Sequence, residues 1–136
     1  MKKSVLLVDD NNIDSMINEK VISSLGIFKE VHKASDGAQA LEIFNRYQSG
    51  LTVIPDIILL DLNMPVMDGF GFIQAFQSLE FPRKENVLIV IVTSSTNPSD
   101  MKLATNLGVK YYLTKPLNAE SVRSIILQEF GDPVAA

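Results

Sequence analysis

Short apolar runs alternate with amphipathic segments along this chain. The runs fall at residues 5–8, 31–34, 57–60, 87–92 and 111–113, the second being the weakest. Runs that are apolar at nearly every position suit strands covered on both faces. Between them lie stripes at helical spacing. Ile13, Met16, Ile17, Val21 and Leu25 make the first, and Ala38, Leu41 and Phe44 begin the second. Ile73 and Phe76 anchor a third, and Val122, Ile125, Ile126 and Phe130 form the last. Each stripe predicts a helix with its apolar side turned to a core. The segment 104–107 carries the weakest stripe.

Punctuation agrees with these elements. Asn97-Pro98 reads as an N-cap followed by proline in the first helical position. Asp36, Asp68 and Asn118 stand where caps are wanted, and Gly26 and Gly108 where helices end. The expected architecture is α/β: a doubly wound, five-stranded parallel sheet in the flavodoxin-like order 2-1-3-4-5, with five helices on its two faces. The 136 residues fit one domain, 1–136, with its core at about 4–130 and a tail after Phe130 too short for a further domain.

Composition narrows the picture. There is no cysteine, so disulfides and thiolate metal sites are out. The net charge of −4 argues against direct nucleic-acid binding. The longest apolar run has six residues, far short of the roughly 20 that cross a bilayer. The first residues briefly resemble a signal peptide, but Asp9 and Asp10 interrupt the apolar stretch and no small-residue cleavage site follows. A soluble, cytoplasmic protein without membrane association is expected.

Ligands of open α/β sheets bind beyond the carboxyl ends of the strands, where strand order reverses. The first predicted strand ends in Asp9-Asp10, the third in Asp61, the fourth in Thr93, and the fifth runs into Lys115-Pro116. For the order 2-1-3-4-5 the reversal lies between strands one and three, which carry the acids. Carboxylates crowded together resist ionising, and a hard cation relieves them. Oxygen ligands suit Mg²⁺. His32 is the single histidine and falls on the edge strand, so zinc is not favoured. An ionised aspartate beside Mg²⁺ is a nucleophile toward phosphorus, and Lys115 and Thr93 supply donors for the oxygens of a transferring phosphoryl group. Taken singly, Asp9-Asp10 is also a helix cap, Asp61 a loop aspartate and Thr93 an ordinary strand residue. The conjunction at four strand ends is what carries the chemistry.

At this point the chain resembles the CheY-like receiver domains of two-component response regulators, of the stand-alone type. The matching pieces are LLVDDN at 6–11, DIILLDLNMPVMDG at 56–69, VIVTSS at 90–95 and YYLTKP at 111–116. The resemblance implies that Asp61 is the phosphoacceptor. It implies that Asp10, Asp61 and the backbone carbonyl of Asn63 bind Mg²⁺ directly and Asp9 through water. Thr93 and Lys115 would contact the phosphoryl group, Thr93 and Tyr112 would form the switch, and the Lys115-Pro116 peptide would be cis. Asn63 and Ser95 occupy positions that tune dephosphorylation, and Ser94 one usually held by a small residue. The implied donor is a sensor histidine kinase or a histidine phosphotransfer protein. The implied output is contact with a downstream protein through helix four, strand five and helix five, with room for a phosphorylation-dependent dimer. Such a protein is a phosphorylated switch that assists its own phosphorylation and dephosphorylation rather than an enzyme. A phosphate shuttle without output, or a binding module independent of phosphorylation, uses the same fold.

Other classes fit less well. A phosphatase of the haloacid dehalogenase type wants a second aspartate two residues after the nucleophile, where Asn63 stands. A flavodoxin wants a hydroxyl-rich phosphate loop where this chain has Asp9-Asp10-Asn11-Asn12. No Gly-Lys-Ser/Thr follows a strand, which excludes a P-loop; Gly69-Phe70-Gly71 is no substitute.

Overall fold

Five parallel strands lie in the order β2-β1-β3-β4-β5 in a computed structural model that describes residues 3–48 and 54–131. The strands are β1 (Lys3–Val8), β2 (Phe28–Ala34), β3 (Ile57–Leu60), β4 (Leu88–Thr93) and β5 (Tyr111–Thr114). The helices between and after them are α1 (Asn12–Ser24), α2 (Gly37–Gln48), α3 (Gly69–Ser78), α4 (Pro98–Asn106) and α5 (Ala119–Phe130), and a single 3₁₀ turn, Lys84–Asn86, precedes β4. This is the architecture expected from the sequence. The weak second run proves to be the end of a seven-residue edge strand. Residues 132–136 of the expected tail lie outside the described residues.

Alternation within the central strands divides the interior in two. Leu6, Val8, Ile58, Leu60 and Ile91 point to one face, where they meet Ala40, Phe44, Phe72, Ile73, Phe76 and Ala104 of α2, α3 and α4. Val5, Leu7, Ile57, Leu59, Val90 and Val92 point to the other, against Ile22 of α1, Leu25 just after it, and Val122, Ile125 and Ile126 of α5. A pleated strand turns successive side chains to opposite faces, so a strand apolar at every position feeds both cores. Phe44 is fully buried and centres an aromatic group, with ring centroids 5.1 Å from Phe76 and 5.8 Å from Phe81. Completely burying such a ring contributes about 1.5–3 kcal/mol from area alone.

The expected caps are present. Asn97, Asp68 and Asn118 accept from backbone N–H groups of α4, α3 and α5, and Asp36 accepts from Gln39 N at the start of α2. Gly26 and Gly108 take positive φ after α1 and α4.

Helix α1 departs from expectation. Its stripe was expected to face the core, yet Ile13 is 65% exposed and Met16 and Ile17 are exposed as well. The buried face is Ser15, Asn18 and Ile22. At about 100° per residue, Ile13 lies opposite Ile22 on the helix wheel. Val21 and Leu25, at the far end of the stripe, pack in the core as expected, while at its start the helix turns Ser15, Asn18 and Ile22 inward instead of Ile13, Met16 and Ile17.

The loop from β3 to α3 contains Val66 at φ +67° and 86% exposed. A three-residue turn forms there, with Met67 N–H donating to the Pro65 carbonyl at 2.7 Å. A β-branched residue resists positive φ, and the exposed side chain returns little packing. Val66→Gly is expected to stabilise the fold by about 1 kcal/mol, read as a higher midpoint in urea at unchanged slope.

Candidate functional site

The carboxyl ends of β1, β3, β4 and β5 converge because the strands are parallel and in near register. Val8 pairs with Leu60, Leu60 with Ile91, and Thr93 with Thr114. One step beyond each strand's end the chain is still held. Asp9 N–H donates to Ala34 O at 3.1 Å, Asp61 N–H to Val8 O at 2.9 Å, and Lys115 N–H to Thr93 O at 2.9 Å. The side chains that follow therefore point into one cleft.

Asp9, Asp10 and Asp61 offer ligand oxygens that all lie within 4.8 Å of one another. Asp9 and Asp61 are buried and Asp10 is exposed, which leaves the cleft open on the Asp10 side. One Asp61 oxygen accepts from Leu62 N–H at 2.8 Å, and the other lies 3.2 Å from Lys115 Nζ. Asp9 Oδ1 accepts from Asn11 N–H at 2.9 Å. Its Oδ2 is buried and 2.8 Å from Lys115 Nζ, without the alignment of a hydrogen bond. Burial pushes the Asp9 carboxyl above its ordinary range and the Asp61 charge adds to this, while Lys115 and the Asn11 N–H pull it back. Burial works against the charge on Lys115 too, but its hydrogen bond to Asp14, its close ion pair with Asp9 and the field of Asp61 outweigh it and raise its pKa. A buried carboxylate oxygen without an aligned donor, set among oxygen ligands and open on one side, fits a hard divalent cation such as Mg²⁺. Asn63 is exposed in the loop two residues beyond Asp61.

Thr93 is completely buried, and its Oγ1 accepts from Ser95 N–H at 3.3 Å. The Tyr112 hydroxyl donates to the Ser95 carbonyl at 2.9 Å. Ser95 Oγ donates to Asp100 in the first turn of α4 at 2.6 Å. Thr93, Ser95 and Tyr112 are thus joined to the start of α4. Ser94 is exposed, and the Lys115-Pro116 peptide is cis. His32 stands apart on edge strand β2 and pairs with Glu30 at 3.0 Å.

Two residues of the site escaped the sequence reading. Asp14, in the first turn of α1, accepts from Lys115 Nζ at 2.8 Å across 101 positions of sequence. An acid at a helix start is ordinarily explained by the helix dipole, so nothing local pointed to Lys115. Gly69 packs on the peptide just after Asp61: a Cβ there would stand 2.5 Å from Asp61 O and 2.9 Å from Leu62 Cα. It was legible only as part of a motif.

Comparison with known proteins bears on this geometry. Residues 5–127 match the response regulator receiver domain family. The chain is a receiver domain of that family. A probable chemotaxis protein CheY of Rhizobium etli is 31% identical to this receiver over 96% of it and 94% of the relative. A two-component response regulator of Cytophaga hutchinsonii superposes with TM-score 0.84 at 29% identity, covering 97% of this receiver and 100% of that chain. The receiver domain of a sensor histidine kinase of Pseudomonas aeruginosa, solved with magnesium in its active-site cleft, superposes with TM-score 0.76 at 26% identity, covering 97% and 100%. Among the described residues no helix of this receiver is long and apolar enough to cross a membrane.

Proposed function

We propose that this receiver takes a phosphoryl group onto Asp61 from a phosphohistidine on a sensor histidine kinase or histidine phosphotransfer protein. One observation carries the reading: an acid trio with ligand oxygens within 4.8 Å of one another, with Lys115 Nζ 3.2 Å from an Asp61 oxygen. An Asp61 oxygen forms the new bond to phosphorus, the phosphorus–nitrogen bond of the donor breaks, and its electron pair returns to the imidazole. Asp10, Asp61 and the Asn63 carbonyl would hold Mg²⁺ directly and Asp9 through water. Bound there, the ion neutralises charge on the transferring group and its acceptor. Lys115 and Thr93 supply donors to the remaining phosphoryl oxygens. The protein's substrate is its own aspartate, so it acts as a phosphorylated switch that assists its own phosphorylation and dephosphorylation and is not counted among enzymes.

The output we assign is a changed contact with a downstream protein in the cytoplasm at the face of α4, β5 and α5. The connection from Thr93 through Ser95 to Tyr112 and Asp100 supports it, as do exposed Met101 and Leu103 on α4. The exposed Ile13, Met16 and Ile17 on α1 support docking of the donor protein, because the same helix places Asp14 in the pocket.

Incubation with acetyl phosphate and Mg²⁺ is expected to add a single phosphate, seen by mass spectrometry and absent from Asp61→Asn. An adduct on another residue overturns the assignment. No adduct at all overturns it too and supports a binding module that works without phosphorylation.

A further inference from the structure

Lys115 is crowded by acids. An ammonium has three N–H donors. Three carboxylate oxygens surround this one: Asp9 Oδ2 at 2.8 Å, Asp14 Oδ2 at 2.8 Å and Asp61 Oδ2 at 3.2 Å. A phosphoryl group on Asp61 needs the same ammonium, because its oxygens carry the charge that the lysine neutralises. Asp61 gives up its carboxylate charge when it is phosphorylated, and Asp9 is grouped with the acids that suit a cation. Asp14 is different. It lies outside the acid trio, on α1, and neither the metal nor the phosphoryl reading gives it a part. Its side chain is 33% exposed, against 2% for Asp9, so it can turn to water without leaving a buried charge behind.

We propose that Asp14 is a positioning residue that competes with the phosphoryl group for Lys115, holding the ammonium toward α1 in the resting receiver and limiting how strongly the phosphorylated state is stabilised. The inference rests on Asp61 as phosphoacceptor. Two effects act in one direction. The Asp14 carboxylate occupies a lysine N–H at an ideal distance, and its negative charge opposes the arrival of a phosphoryl dianion in an already acidic pocket. On phosphorylation Asp14 loses its hold, which also frees the first turn of α1 from the loop between β5 and α5.

The test is titration with beryllofluoride, a phosphoryl mimic, by calorimetry in saturating Mg²⁺, on wild type, Asp14→Asn and Asp14→Glu. Asp14→Asn is expected to bind beryllofluoride about three- to tenfold more tightly and to take phosphate from acetyl phosphate faster by a similar factor. Asp14→Glu keeps the charge and is expected to behave as wild type. Mg²⁺ affinity measured alone should move by less than about twofold, since the competition is for the lysine and not for the ion. Unchanged or weaker beryllofluoride binding in Asp14→Asn overturns the proposal, as does a tenfold loss of Mg²⁺ affinity, which would make Asp14 a metal ligand. A wild type that takes neither beryllofluoride nor phosphate fails at Asp61 itself. A wild type that takes both while Asp14→Asn gains nothing fails only here.

Discussion

Lys115→Ala is expected to unfold about 10 °C below wild type at pH 7 without Mg²⁺, a loss of about 3 kcal/mol. The lysine is the counter-charge shared by Asp9, Asp14 and Asp61, and two of those acids are buried. Removing one member of a buried charged group costs more than the group contributes, because the partners stay behind unneutralised. The loss should depend on pH with a defined sign. The Asp9 carboxyl already sits above its ordinary value of 3.8 through burial, and loss of Lys115 raises it further. A group whose folded pKa is raised costs no stability below its unfolded value and costs progressively more as pH climbs through its folded value. The gap between variant and wild type is therefore expected to be wide at neutral pH and to close toward pH 4. Added Mg²⁺ should recover part of it by supplying the missing positive charge. Thermal melts followed by circular dichroism from pH 4 to 8, with and without Mg²⁺, check all of this. A gap independent of pH would mean that the lysine acts by packing its stem. In the phosphorylation reading, the variant still acquires some phosphate on Asp61 but no longer links it to partner binding.

The second large effect is expected from the smallest side chain in the site. Gly69→Ala should cost about 2–4 kcal/mol and sharply slow phosphate uptake from acetyl phosphate. Gly69 opens α3, and its N–H donates to Leu62 O at 2.9 Å. The helix start is thus clamped on Leu62, the residue that follows the candidate phosphoacceptor. The added methyl would meet backbone atoms at 2.5 and 2.9 Å, and backbone cannot swing aside as a flexible side chain can. Either α3 moves out, at the expense of Phe72 and Ile73 in the core, or the Asp61–Leu62 segment moves and carries the carboxylate with it. Gly71→Ala serves as the control: its Cβ would come no closer than 3.1 Å, to the movable Met67 Cγ, and should be tolerated far better. Chemical denaturation together with the uptake rate separates the two responses. Equal behaviour of the two variants would count against this account of Gly69.

Much of the receiver was open to reading from one sequence. Strands buried on both sides are apolar at nearly every position, so residues 57–60 and 87–92 announced themselves whatever their neighbours. Caps are local, and Asn97-Pro98 marked the start of α4 because the groups it serves lie within the next turn. Asp9, Asp61, Thr93 and Lys115 can be gathered from sequence because parallel strands place all their carboxyl ends on one edge of the sheet. Pattern ceased to decide where two patterns competed or where the partner was remote. Helix α1 has an apolar stripe through Ile13 and Ile17 and a second face through Ser15, Asn18 and Ile22. Periodicity favoured the former, and Val21 and Leu25 at its end do pack on the core, while docking of Ile22 on the sheet turned its start outward. That choice exposes Ile13 and aims Asp14 at Lys115, and no rule of local spacing contains it. Nor does any local rule hold the 2.5 Å approach of Gly69 to Asp61 O or the bond from Tyr112 to Ser95. Element type and strand-end chemistry follow from interactions within a few residues. Which helix face turns inward, and which acids share one ammonium, follow from how whole elements pack, and only the tertiary structure supplies that.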